Sequence, residues 1–425
     1  PDRGRNLRAK LTVRILTLNT GSSSLKFQVS EWDAGRKTAT SGRVLATGSI
    51  RAIGDRSACR LTVGRRTVVD RELSVKDHGE AVESALRWMR EASCPFDAVG
   101  HRIVHGGERF RRPVRIDDSV IEVIRDLSEL APIHNPIGLA GIRACRRILG
   151  RNVPMVAVFD TAFHSTMPRV SSRYAIPSEL ARRHAIRRYG FHGIAHAYLA
   201  GRYLEITGTP AEGSRLVTLQ LGHGCSATAV RDGRSVDTSM GFTPLEGLVM
   251  ATRSGDLDPA IVAHLCEKEQ TDASRVVDWL NHRSGLLGLS EKSGDMSELL
   301  ALQETDDGAR LAVEVYCYRI KKTIGAFLSV LSGADAVIFG GGVGENAPEI
   351  RRRVCEGMAW CGIELDSRRN EAARGIESRI SRDASPCRVE VIPTDEAAVI
   401  SRETFLCLTD GAESHSTGRT KGPSS

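Results

Sequence analysis

The chain has 425 residues, 41% of them hydrophobic and 26% charged. That is ordinary folded-protein usage over a length fit for two or three domains, and it excludes disordered, collagen-like and disulfide-scaffold chains. Lys and Arg (59) exceed Asp and Glu (52) by a net +7, and Arg3, Arg5, Arg8 and Lys10 face only Asp2 within the first eleven residues. With aromatics at 5% and no basic run interleaved with them, the charge argues against a nucleic-acid partner and leaves room for a mildly positive cleft around a small anion.

Ten cysteines are scattered without a CxxC pair, a usage that fits a reducing compartment, read here as cytoplasmic. No window reaches the ~18 apolar residues of a membrane span, so no membrane partner is expected.

In chain order, TVRILTL (12–18) predicts a strand that runs through a Gly/Ser turn into a second strand over 24–31. Further β runs fall at 44–50 and 60–70. A helix over 80–92 sets Val82, Ala85, Leu86 and Met89 on one face. A strand over 98–106, helices near 119–130 and 137–149, and an apolar strand over 154–160 ending in Asp160 complete the first half. The second half repeats this grammar over 215–239 with strand, glycine turn, strand, Asp-Gly hairpin and strand. Helices follow near 258–268, 273–282 and 308–332, then a strand, glycine loop and helix over 334–350, a strand over 388–393 and a helix near 396–405. Two similarly built α/β lobes are implied, with a polar, Gly/Ser-rich tail from about 409 that is expected to be disordered.

Three glycine-bearing turns can cradle phosphate. NTGSSSLK (19–26) gathers hydroxyls, backbone N–H groups and Lys26, LGHGCS (221–226) sits at the equivalent turn of the second lobe, and FGGGVGEN (339–346) opens toward a helix start. Each alone is also compatible with an ordinary tight turn. The last forms a loose GxGxxA with Glu364 about twenty residues on, yet it comes too late in the chain for a Rossmann site, and no GxxxxGK[ST] is present. Charged residues beside glycines mark the reaction centre: GHRIVHGGE (100–108), VFDTAFH (158–164), YGFHGIAH (189–196) and MATRSGDLDP (250–259), each read as a strand end or loop. Arg102 and Arg253 offer planar donor forks that can bracket a group in transfer, and His192 a third donor. His101/His105 and His192/His196 have i, i+4 spacing that equally suits capping or core roles, and neither pair belongs to an HExxH zinc motif.

These segments, with LAPIHNP (130–136), MGFTPLEGL (240–248) and VIPTDE (391–396), resemble in order and over nearly the whole chain the acetate kinase family of acetate and propionate kinases. The resemblance implies the fold of acetate and sugar kinases, Hsc70 and actin, with two ribonuclease-H-like lobes around an interlobe cleft. It implies an N-terminal lobe over 1–161 with the helix 396–408 packed back on it, and a nucleotide-binding lobe over 162–395. It further implies reversible phosphoryl transfer between ATP and a short-chain carboxylate, Mg²⁺ or Mn²⁺ as metal, ATP/ADP as co-substrate, and a homodimer.

Carried over residue by residue, the resemblance makes Arg102, Asp160, His192 and Arg253 catalytic and lines the acyl pocket with Arg102, Val104, Ile133 and Pro244. It places Asn19 and Glu396 near the metal. Nucleotide contacts would come from Asn19, Ser22, Ser24, Lys26, Gly222, His223, Gly224, Asp295, Gly340, Gly341, Gly342, Gly344 and Asn346. The chain departs from the family in the second phosphate loop, where Gln220-Leu221-Gly222-His223-Gly224 replaces the usual His-Leu-Gly-Asn-Gly, and at Ser297, where the family usually has arginine. Smaller departures are Ile194-Ala195, Ala251 and Asp395. A propionate kinase, or a binding regulator of the same fold that has lost turnover, remain the alternatives.

Overall fold

The computed structural model describes residues 12–33 and 42–409. The basic N-terminal segment and the polar tail lie outside them. Among the described residues fourteen strands form two sheets. The first holds β1 (Thr12–Thr20), β2 (Ser24–Asp33), β3 (Arg43–Arg51), β4 (Arg56–Val63), β5 (Arg66–Ser74), β6 (Ala98–Ile103), β7 (Val114–Arg115) and β8 (Met155–Phe159) in the order β5-β4-β3-β2-β1-β6-β8-β7. The second holds β9 (Arg215–Leu221), β10 (Cys225–Arg231), β11 (Arg234–Thr238), β12 (Ala336–Gly340), β13 (Ser378–Arg379) and β14 (Arg388–Val391) in the order β11-β10-β9-β12-β14-β13.

Both sheets share one plan. An antiparallel triple (β3-β2-β1 and β11-β10-β9) continues into two strands parallel to its first member, β6-β8 and β12-β14. The turn after β1 and the turn after β9 therefore occupy equivalent places. The parallel strands deliver their C-terminal ends toward one region, where α/β sheets bind ligands.

Alternation along the strands explains the layers. Leu16, Leu18, Val99, Ile103 and Phe159 point to one face of the first sheet, where they pack under the helices His78–Glu91 and Asn135–Leu149. On the other face Val13, Ile15, Trp32 and Ala98 meet Phe405, and Val156 and Val158 meet Ile194 and Ile400. Phe405 and Ile400 belong to the last helix, Glu396–Thr409, so the chain's end packs on its beginning. Trp32 stacks on Phe405 and its indole N–H donates to Ser401 Oγ at 2.6 Å. Gly100 permits this approach, since a Cβ there would lie 2.3 Å from Thr404 Oγ1.

Several expected elements take a different form. The run over 60–70 is two strands, β4 and β5, separated by Gly64 in the left-handed region (φ 57°). The helix expected over 119–130 ends at Asp126 and continues as a 3₁₀ turn over Leu127–Glu129. The glycine loop after β12 is a short helix, Gly341–Asn346, because Gly341 turns the chain at φ 76° where a Cβ would strike the Leu221 carbonyl. YGFHGIAH is not all loop, since the helix Gly193–Thr207 starts within it and His192 is its N-cap.

Candidate active site

Arg102, next to the end of β6, points toward Asp160, the residue that follows β8. Its Nε lies 3.2 Å from each Asp160 carboxylate oxygen and its Nη2 2.5 Å from Oδ2. Nη1 donates to Asn19 Oδ1 and to the Thr20 carbonyl, both at 3.3 Å, and so ties the first phosphate turn to the same group. Asp160 is 1% exposed. Burial pushes its carboxyl above the usual range, with Glu396 adding to the rise while Arg102 opposes it. Burial alone would lower Arg102, but Asp160 and then Glu396 outweigh that penalty and hold the guanidinium above its ordinary value. Asp160 thus aims Arg102 at the cleft.

His192 takes a left-handed backbone (φ 55°, ψ 23°) at the helix N-terminus. Gly193 makes this possible, because a Cβ there would lie 1.9 Å from the Asp160 carbonyl oxygen, which presses the helix start directly onto β8's end. His192 Nδ1 lies 2.8 Å from Ser226 Oγ, and burial, with Arg102 and Arg253 beside it, pulls the imidazole down to about 3. The ring is neutral near pH 7.

Arg253 comes from the long loop between β11 and the helix Ala260–Lys268. Its Nη1 donates to the Pro244 carbonyl at 3.3 Å and touches Met250 Sδ at 3.5 Å. Among the described residues no carboxylate pairs with it, and burial lowers its pKa. A partly buried guanidinium without a counter-ion is suited to an anion. Arg102, Asp160, His192 and Arg253 together line a cavity of about 130 Å³, with Thr20, Gly21 and Ser22 on one side and Val104, Ile137, Phe191 and Pro244 supplying apolar surface.

Two expectations about this cavity change. Ile133 does not line it and is 52% exposed; Ile137, in the first turn of the helix Asn135–Leu149, takes the place expected of it. His134, in the quoted segment LAPIHNP but not singled out, does line it, held down to about 4 by burial, Arg102 and Arg253. For His101 and His105 the structural role prevails. His101, His105 and His196 are buried, and Nε2 of His101 and of His105 has no hydrogen-bond partner.

A second cavity of about 740 Å³ runs between the sheets, lined by Asn19, Lys26, Gln220, Gly341, Gly342, Glu345, Asp395 and Glu396 among others. Gln220 accepts from Thr394 Oγ1 at 2.9 Å, and Thr394 Oγ1 in turn accepts from Gly341 N–H at 3.1 Å. Gly222 and Gly342 face each other, a Cβ on the former lying 3.9 Å from the latter's nitrogen. Ser24 closes the first turn, its carbonyl accepting from Gly21 N–H at 2.8 Å. His223 sits at the exposed tip of the second turn, and its carbonyl accepts from Ala251 N–H at 3.0 Å. Asn346 caps its own short helix through Gly342 O at 3.0 Å, while Gly340 and Gly344 pack closely against Thr394 and Phe339. Asp295 caps the helix Met296–Leu302, its Oδ1 accepting from the Ser297 amide at 2.7 Å and hydroxyl at 2.5 Å.

Asn19 Nδ2 donates to Glu396 Oε2 at 2.5 Å. No cluster of three His, Cys, Asp or Glu side chains among the described residues could hold a metal by itself. The oxygens of Glu396 and Asn19 beside this second cavity fit Mg²⁺, which typically takes one or two carboxylates together with water and substrate phosphates.

Fold and site together define a phosphotransferase of the two-lobed kinase class, with a glycine-bearing turn from each sheet and an arginine pair lining a small cavity. The sequence profile of the Acetokinase family matches residues 14–402, and the chain belongs to that family, whose members are kinases that transfer phosphate to a carboxylate. The chain is 46% identical to "Acetate kinase" of Chloroherpeton thalassium over 413 residues, which cover 93% of this chain and 99% of that protein. It is 44% identical to "Acetate kinase" of Thermotoga maritima over 407 residues, 92% and 98% of the two chains. The crystal structure of Porphyromonas gingivalis acetate kinase superposes with a TM-score of 0.84 at 40% identity, covering 93% of this chain and 100% of that one. A propionate kinase from Francisella tularensis also gives 0.84, at 36% identity and coverages of 92% and 99%.

Proposed function

We propose that the chain transfers the terminal phosphoryl group of ATP reversibly to acetate, giving acetyl phosphate and ADP. What supports the reading most is that Arg102 and Arg253, presented by separate lobes, line one small cavity with Asp160 and His192. A carboxylate is already ionised and needs no strong general base, so the protein's task is to position it and neutralise the charge that spreads over the group in transfer. Arg253, free of carboxylates, takes the anion, and Arg102, aimed by Asp160, takes its other side. Val104, Ile137, Phe191 and Pro244 receive the acyl methyl. Lys26, the two phosphate turns and the glycines of the helix Gly341–Asn346 hold the nucleotide's phosphates, with Asp295 on the adenosine side. Mg²⁺ bound near Asn19 and Glu396 supplies charge neutralisation across those phosphates.

Acetate and propionate differ by one methylene, worth about 1–3 kcal/mol in an apolar pocket. The test is detection of acyl phosphate across acetate, propionate and butyrate with ATP, GTP and pyrophosphate as donors. Acetyl phosphate formation with the highest kcat/KM for acetate is the expected result. Nucleotide binding without any acyl phosphate would instead favour a regulator disabled by Gln220 and His223. We place the lobe boundary near residue 161, with the last helix returning to the first lobe. The family resemblance supports a homodimer, checked by light scattering on the purified chain. Ten unpaired cysteines support a cytoplasmic location, to be checked by cell fractionation.

A further inference from the structure

His192 and His196 stand one turn apart at the start of the helix Gly193–Thr207, while Thr218 on β9 and Ser226 on β10 project from paired strands beneath them. Ser226 Oγ lies 2.8 Å from His192 Nδ1 and 2.7 Å from His196 Nε2. A hydroxyl has one proton and two lone pairs, and among the described residues the two rings are the only hydrogen-bond partners of Ser226 Oγ, so its proton goes to one ring and the other ring donates to it. The far end of the chain settles which. His196 Nδ1 is 2.8 Å from Thr218 Oγ1, whereas the alternative acceptor for that hydroxyl, the Thr228 carbonyl, is 3.5 Å away, beyond ordinary hydrogen-bond length. Thr218 therefore donates to His196 Nδ1, His196 carries its proton on Nε2 and donates to Ser226, and Ser226 donates to His192 Nδ1. The proton of the neutral His192 ring is left on Nε2, the nitrogen not engaged by Ser226.

We propose that Thr218, His196 and Ser226 form a buried polarity chain that makes a neutral His192 present an N–H to the phosphoryl group, with His196 and Ser226 as positioning residues. The proposal rests on the reading of His192 as a phosphoryl contact. It answers a specific difficulty: an imidazolium between Arg102 and Arg253 is disfavoured by burial and by both guanidinium charges, yet a ring protonated on Nδ1 would aim a lone pair at an anion. The neighbouring His164, 5.8 Å from the His196 ring, is held separately. It donates from Nε2 to the Phe191 carbonyl at 2.9 Å and meets Ser235 Oγ at 2.9 Å, so it fixes the backbone just before His192 without entering the chain.

The test is two-bond ¹⁵N–¹H correlation on the intact enzyme with ring-¹⁵N histidine, alone and with inorganic phosphate, with the His192 signals assigned by their loss in His192→Ala. Both His192 and His196 are expected as Nε2–H tautomers. Ser226→Ala should abolish that preference at His192 and lower kcat by about 10–100-fold, the loss of one hydrogen bond to a charged group, while KM for acetate stays within about 2-fold. His196→Gln, whose amide N–H can replace the Nε2 donor, should retain far more activity than His196→Leu. A wild-type His192 ring protonated on Nδ1 in the presence of phosphate overturns the proposal, as does equal loss in the Gln and Leu variants. The wild-type spectrum requires no variant to fold. If His192→Ala kept full turnover while the wild-type ring proved to be Nε2–H, the chain would stand and the phosphoryl role of His192 would fall.

Discussion

Replacing Arg253 by alanine separates catalysis from folding more cleanly than any other change at this site. Arg102 is bound to Asp160 through three contacts, so its removal would strand a buried carboxylate and confuse the two effects. Among the described residues the Arg253 side chain makes only a 3.3 Å bond to the Pro244 carbonyl and a 3.5 Å contact with Met250 sulfur. Its charge is partly buried and, among the described residues, has no counter-ion, a state that costs the native protein stability. Arg253→Ala should therefore leave the thermal midpoint unchanged or raise it. Turnover should fall by about 10²–10⁴-fold, or about 3–5 kcal/mol of transition-state stabilisation, the range expected for a charged donor on a transferring group. Arg253→Lys should recover part of this, because an ammonium restores charge but not the planar fork. Acyl phosphate trapped as its hydroxamate gives the rate, and a thermal melt gives the stability. A near-normal kcat in the alanine variant, or a rate loss matched by unfolding, would refute the reasoning.

Gly224→Ala should lower kcat several-fold without unfolding the protein. The new Cβ would sit 3.2 Å from His192 Cε1, displacing the imidazole by tenths of an ångström, while meeting Arg253 Nη1 at an ordinary contact distance of 3.5 Å; unaltered kinetics would mean that His192 does not need its position. Ser297→Arg removes a 2.5 Å hydroxyl contact to Asp295 and adds a cation beside the adenosine side. ATP should bind roughly 2–5-fold tighter by calorimetry, and an unchanged affinity would place the adenine elsewhere. Stability should also decline in mild acid. His101 and His192 are held near about 3, His105, His134 and His164 near about 4, and His196 well below its ordinary value, each chiefly by burial. These rings are neutral when folded and protonate below about 6.5 when unfolded. Their stabilising contribution is complete above that pH and is lost as pH falls toward 4 and then 3, by up to ~1.4 kcal/mol per pH unit for each ring. A thermal midpoint that stays flat from pH 7 to pH 5 would contradict the burial of these histidines.

The sequence alone carried the repeated strand grammar, because strands of this kind announce themselves locally: period-two alternation, glycine turns at equivalent places, and Asp160 as the acid closing an apolar run. The succession of motifs from NTGSSSLK to VIPTDE is equally legible in the sequence and resembles the acetate kinase family. Local signals failed where a long-range contact decides the backbone. GGGVGEN looks like a loop until Gly341 must pass the Leu221 carbonyl, after which the chain winds into a helix. YGFHGIAH conceals a helix start because its trigger, the fit of Gly193 against the Asp160 carbonyl, joins residues far apart in sequence.

Which side chains share the small cavity was likewise a tertiary decision. Ile133 and Ile137 are indistinguishable as apolar residues in the sequence, and only the docking of the helix Asn135–Leu149 turns the second inward. His134 carried no signal beyond its place in a quoted segment. The residue types of the site were thus written in the chain, while their arrangement, an unpaired Arg253 opposite an Arg102 already held by Asp160, follows from packing two sheets so that their strand ends meet. Charge placement in a low-dielectric cleft depends on distances that one-dimensional spacing does not encode.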